Sequence, residues 1–210
     1  MKQILCFGDS NTYGLIPATS DRYPWNVRWT GILADKLDKD EYHIIEEGLC
    51  GRTTVFDDIF RPGRNGSMLL PVILETHRPV DLIILMLGTN DCKTVYNVSA
   101  DIIGKGIEKL LDQVGAGDPH AKVLLISPIH LGDGVWEDGF DKEFSRESVT
   151  VSKQLGDVYR KIAFERGISY LNASDIAFPD DADREHLNEV GHKALAEAVF
   201  KKLVDINFII

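Results

Sequence analysis

Four short stretches of the sequence carry the residue types that nucleophilic chemistry needs. They are GDSN at 8–11, EEGLCGRTT at 46–54, GTND at 88–91 and DADREHLNEVGH at 181–192. Attack by a serine hydroxyl requires a base to accept its proton and a carboxylate to hold that base in the right tautomer. Ser10 offers the hydroxyl. Asp183 and His186 stand three residues apart, so a single turn can bring the carboxylate to the imidazole Nδ1–H. Nε2 is then free to face Ser10. A developing oxyanion also needs donors, and the candidates are the backbone N–H of Ser10, the backbone N–H of Gly51 and the amide of Asn90.

Each of these residues has an ordinary reading when taken alone. A serine after a strand forms turns or caps helices. A D-x-x-H pair in an acidic loop can simply precede a helix, and Gly48, Gly51 and Asn90 are common loop residues. Asp9 and Asp91 are expected to brace their loops by accepting backbone hydrogen bonds. A rival arrangement would use Asp9, Asp91, Asp183 and His186 as hard metal ligands. His186 is the strongest base candidate, His130 follows a strand and could line the pocket, and His192 is expected to pack or cap. The neighbouring side chains Tyr13, Leu15, Trp25, Val95, Tyr96, Ile129 and His130 are candidates to shape a substrate pocket.

The elements that must position these groups follow from hydrophobic patterning. Short β-branched or apolar runs at 3–7, 42–46, 82–87, 122–127 and 168–171 predict five strands. Helical patterns lie near 26–38, 67–77, 100–114, 145–166 and 188–204, with Asn188 a candidate N-cap. DLIILML and KVLLISP are nearly continuous apolar runs, as in strands buried on both faces. Alternation of strand and helix predicts one three-layer α/β/α sandwich over 1–210, with a five-stranded parallel sheet. Sites in such sheets lie beyond the carboxyl ends of the strands, where the first three stretches fall. The fourth follows the last strand and can reach the same edge. This convergence favours chemistry over loop composition.

Composition narrows the function classes. The 210 residues carry 23 basic and 33 acidic side chains, a net charge of −10. No cluster of Lys and Arg offsets it, which argues against nucleic acid or an anionic membrane as partner. No apolar run approaches the ~20 residues of a membrane span, and the N-terminal run meets Gly8-Asp9 too early for a signal peptide core. Cys6, Cys50 and Cys92 are dispersed and lack metal-ligand spacing, so reduced thiols and a cytoplasmic location are expected. Trp25 and Trp136 lie in loop-like stretches and could cover the site or sit in a homo-oligomer interface.

In their order, the four blocks resemble the SGNH (GDSL-type) hydrolase family. GDSNTYG, VRWTGILA, EEGLCGRTT, LPVILETHRPVDLIILMLGTND and DREHLNEVGH are most similar to its bacterial arylesterase and acyltransferase branch. The resemblance implies a flavodoxin-like fold, Ser10 as nucleophile, Gly51 and Asn90 as oxyanion donors, and Asp183 and His186 as acid and base. It further implies hydrolysis of short-chain or aryl esters through an acyl-enzyme, with acyl transfer to alcohols or peroxide in some members. No metal or organic cofactor is called for, and the partner is a small-molecule ester. A carbohydrate O-deacetylase would use the same groups, and a non-catalytic α/β binding module would use none. The absence of G-x-S-x-G disfavours an α/β-hydrolase. Asn11 stands where many members have leucine, Cys50 where serine is common, and Arg184 and Glu185 where smaller residues often occur.

Overall fold

The computed structural model describes residues 1–209 and resolves the strand–helix alternation into a single parallel sheet. Its strands are β1 (Lys2–Gly8), β2 (Tyr42–Gly48), β3 (Leu82–Met86), β4 (Lys122–Ser127) and β5 (Ser169–Asn172). They lie in the order β2-β1-β3-β4-β5, the flavodoxin-like order. The chain reverses its direction of travel across the sheet between β1 and β3, which opens a crevice beyond their carboxyl ends. Ser10 follows β1 and Asn90 follows β3, so the topology itself brings two of the four blocks to that crevice.

Helices cover both faces because side chains alternate along each strand. Ile4 and Cys6 of β1 pack on one side with Trp29 and Leu33 of α2 (Trp29–Lys36) and Leu195 and Val199 of α6 (Glu189–Asp205). Leu5 and Phe7 pack on the other with α3 (Gly66–His77), α4 (Ala100–Gly117) and α5 (Arg146–Arg166). The central strand β3 is buried along its whole length, which explains its unbroken apolar run. Asn188 caps α6 by accepting the Gly191 N–H, and Ser145 and Ser148 form a capping box at α5.

Three departures from the patterning are instructive. The helical pattern near 26–38 narrows to Trp29–Lys36, because Pro24 opens a turn whose carbonyl accepts the N–H of Val27 and Arg28. A one-turn helix, α1 (Ser10–Tyr13), follows β1 directly. Short 3-10 turns occupy Asn90–Cys92 and Ala173–Asp175. These pieces are too short to show a period. Among the described residues, no helix is long and apolar enough to cross a membrane.

Leu85 of β3 is fully buried, whereas Phe164 on α5 is 88% exposed. Leu85→Ala should lower unfolding free energy by about 2–5 kcal/mol. Phe164→Ala should stay within about 0.5 kcal/mol of the parent in the same urea titration.

Candidate active site

The site starts where β1 and β2 end side by side, with Gly8 in register with Gly48. A Cβ on Gly48 would lie 2.1 Å from the backbone nitrogen of Tyr13, so glycine there admits the one-turn helix α1. Asp9 caps α1 by accepting the Asn11 N–H at 3.0 Å. Ser10 is thereby set on the first turn, buried and pointing toward the loop before α6.

That loop delivers the imidazole. Ser10 Oγ lies 2.8 Å from His186 Nε2, and His186 Nδ1 lies 2.7 Å from Asp183 Oδ2. With Nδ1–H donating to Asp183, the neutral imidazole can accept the Ser10 proton at Nε2. Asp183 Oδ1 also accepts the N–H groups of Glu185 and His186, and Oδ2 accepts that of Ala18 at 2.9 Å. Burial raises the Asp183 carboxyl, but the hydrogen bonds and charge of His186 outweigh it and bring it down to about 2. For His186 burial favours the neutral ring. The charge of Glu185 and the hydrogen bond and charge of Asp183, helped by Asp9, win and push it up to about 9.

Two departures from the family pattern turn out to hold this loop. Asn11 Oδ1 accepts the Leu187 N–H at 2.9 Å, and its Nδ2 donates to the Glu185 carbonyl at 3.5 Å. Arg184 sits at φ +61°, a left-handed conformation that disfavours ordinary side chains. Its guanidinium stacks on Phe140 at 4.0 Å and pairs with Glu137 at 2.7 Å, while its carbonyl accepts the Gly132 N–H. These contacts offset the strained backbone.

The second and third blocks are tied to each other and to β1. Asp91 accepts the Thr54 N–H at 3.0 Å and the Thr54 hydroxyl. Asn90 Nδ2 donates to the Arg52 carbonyl at 3.2 Å, leaving its other N–H unspent. Arg52 Nη1 donates to the carbonyls of Gly8 and Glu47. Gly51 has φ +82°, a conformation natural to glycine, and lines the same cavity as Ser10. Neither the Ser10 nor the Gly51 N–H has an acceptor among the described residues.

Asp9 and Asp91 therefore brace their loops. Burial pushes them up to about 6 and about 7 respectively. The metal-ligand arrangement finds no support in this geometry: among the described residues no three His, Cys, Asp or Glu side chains come together as a metal site. His192 is fully buried and its Nδ1 accepts the Trp29 N–H at 3.3 Å.

Ser10, Gly51, Asn90 and His186 share one cavity of about 150 Å³. Leu15 and Cys50 also line it, but the rest of its wall is charged: Arg61, Lys93, Asp141, Glu143 and Glu185. Of the pocket candidates, only Leu15 is placed there. Tyr13 lies under the Arg22 guanidinium, Trp25 under that of Arg28, and Tyr96 stacks on Phe56. Val95 is exposed, Ile129 is in the core, and His130 is half-buried away from the cavity. Apolar neighbours along the chain were the wrong guide, because ion pairs assemble the wall. Arg61 pairs with Asp58 at 3.0 Å and Glu143 at 3.6 Å, and Lys93 also pairs with Glu143. Of the charged wall residues, Glu185 lies inside the fourth block and Lys93 three residues after Asn90, whereas Arg61, Asp141 and Glu143 carried no sequence signal.

The GDSL-like lipase/acylhydrolase family model matches residues 6–194. The chain belongs to this family. Among solved structures it resembles Est24, a carbohydrate acetylesterase from Sinorhizobium meliloti, at 37% identity and TM-score 0.89, covering 98% of this chain and 100% of that one. It also resembles the native aryl esterase of M. smegmatis at 35% identity and TM-score 0.88, covering 98% and 99%. A second carbohydrate acetylesterase family member from Sinorhizobium meliloti matches at 31% identity and TM-score 0.91, over all of both chains. No curated protein matches the chain. Family and neighbours together make this GDSL-family chain an ester hydrolase.

Asn11→Leu, which restores the commoner family residue, removes the acceptor from the buried Leu187 N–H. It should cost about 1–3 kcal/mol in urea unfolding, since a buried donor is left unpaired.

Proposed function

We propose that the enzyme is a serine esterase acting on short-chain carboxylic esters, aryl esters included, through an acyl-enzyme on Ser10. The observation that carries this reading is the Ser10–His186–Asp183 relay opening on a cavity whose Ser10 and Gly51 N–H groups have no protein acceptor among the described residues. His186 Nε2 takes the Ser10 proton as Oγ attacks the ester carbonyl. The oxyanion is held by the N–H groups of Ser10 and Gly51 and the free N–H of Asn90. His186 then protonates the departing alkoxide, and water attacks the acyl-enzyme by the same proton path in reverse. Asp183 stays ionised and orients the ring. An alcohol or peroxide in place of water would give acyl transfer from the same intermediate.

The cavity of about 150 Å³ suits a small acyl group such as acetyl. Its charged wall also supports a second reading, in which the alcohol half is a carbohydrate, since hydroxyls can use acceptors and donors that an aryl ring cannot. The free thiols of Cys6, Cys50 and Cys92 fit a reducing, cytoplasmic setting.

A serine-directed phosphonate should label the peptide bearing Ser10, and Ser10→Ala should abolish turnover of p-nitrophenyl acetate. Label elsewhere, or unchanged turnover, would remove Ser10 as nucleophile. Asn90→Ala should lower kcat about 10²–10³-fold with little change in KM.

The pH profile follows from His186. The ring must be neutral to accept a proton, and it stands at about 9. At neutral pH it is mostly protonated, so kcat/KM should climb roughly tenfold per pH unit through neutrality and level near pH 9. A profile already flat from about pH 7 upward would contradict this assignment.

A further inference from the structure

Glu185 is buried at 7% exposure, and its carboxylate lines the cavity without a hydrogen-bond partner among the described residues. Its backbone is engaged, through Asp183 and Asn11, but the one charged partner within 4 Å of its side chain among the described residues is His186, with Oε1 3.7 Å from Nε2. That separation is too long for a hydrogen bond. Among the other charged wall residues, Lys93 pairs with Glu143 and Asp141 accepts the Glu143 N–H, while Arg61 bonds Asp58 through Nε and leaves its Nη2 without a hydrogen-bond partner among the described residues. With no protein hydrogen bond on its oxygens, the acceptor capacity of the Glu185 carboxylate is open to the cavity that it lines.

Its position relative to the chemistry tells which part of a substrate it would meet. His186 Nε2 must come within hydrogen-bond reach of the leaving alcohol oxygen to protonate it. A carboxylate 3.7 Å from that nitrogen borders the alcohol half of the ester, while Gly51 and Asn90 serve the carbonyl oxygen. We infer that Glu185 is a specificity-determining residue: its carboxylate accepts a hydrogen bond from a hydroxyl on the carbon next to the ester-bearing carbon. The site thereby selects monoacyl esters of 1,2-diols over esters of simple alcohols. This rests on the acyl-enzyme reading above.

The test compares kcat/KM for 2-hydroxyethyl acetate and propyl acetate, which differ by one terminal OH in place of CH₃. The parent should prefer the hydroxylated ester by at least about tenfold, since a site built to bond a hydroxyl discriminates against its absence. Glu185→Leu should bring the ratio close to one, and Glu185→Gln, which keeps an acceptor, should retain part of it. Both esters use the same imidazole, so any effect of Glu185 on His186 cancels in the ratio. A parent ratio near one overturns the inference whether or not the variants fold, as does an unchanged ratio in Glu185→Leu. Phosphonate labelling of the parent separates the two levels: label on Ser10 with an unchanged ratio sinks only the role of Glu185. Label away from Ser10 sinks the acyl-enzyme reading and this inference with it.

Discussion

The hydrogen bond between Ser10 and His186 joins residues 176 positions apart, and the remainder of the site exists to hold it at 2.8 Å. Catalytic groups must be fixed to within about 0.5 Å to be productive, a demand that two loops cannot meet unaided. On the serine side the answer is short-range. Asp9 caps α1, α1 seats on Gly48, and β1 is the centre of the register with β2 and β3. On the histidine side it is long-range: Asn11 grips Leu187, Ala18 donates to Asp183, and Arg184 anchors the loop on Phe140 and Glu137. Ser10 and its immediate neighbour thus share the work, since Ser10 bonds the loop that Asn11 positions.

Burying so many polar groups sets the electrostatics. Asp9, Asp91 and Glu185 are each buried and pushed upward, whereas Asp183 is brought down despite burial. The difference lies in the partners. Asp183 accepts three backbone N–H groups and the imidazole, all of which favour its charged form. Asp91 has Thr54, Asp9 has Asn11, and neither set offsets the lost hydration. Asp183 is therefore the carboxylate suited to remain ionised beside an imidazolium. Arg52, pulled down to about 10 by burial, spends its donors on strand-end carbonyls rather than on substrate.

The sheet and the helices on its faces were legible because hydrophobic period reports burial directly. β3 and β4 announced themselves as unbroken apolar runs, and α6 as a three-to-four repeat with a cap. What escaped was short or non-local. The turn Ser10–Tyr13 is one helical repeat long, too brief to show a period, although it carries the proposed nucleophile. Ser10, Gly51 and Asn90 were recognisable because the parallel topology sends strand ends to one edge, and Asp183 and His186 from their three-residue spacing after the last strand and from the family resemblance. The structure does bring all of these except Asp183 onto the cavity wall, with Asp183 one hydrogen bond behind.

The cavity wall obeys a different rule. Arg61, Lys93, Asp141 and Glu143 come from three separate loops, and ion pairs among them decide which side chains face the substrate. No periodicity encodes such pairings, and adjacency to a motif misled: Tyr13, Val95 and Tyr96 flank the blocks yet turn away. The reaction and the specificity of this enzyme are therefore written at different levels. The proposed catalytic groups follow β1, β2 and β3 or lie in the loop before α6, where the fold leaves little choice of place. The cavity wall is set by charged loop residues whose positions depend on one another. Replacing one of them, as with Lys93 on Glu143, would also free the partner it holds, so specificity can shift without any change to the relay.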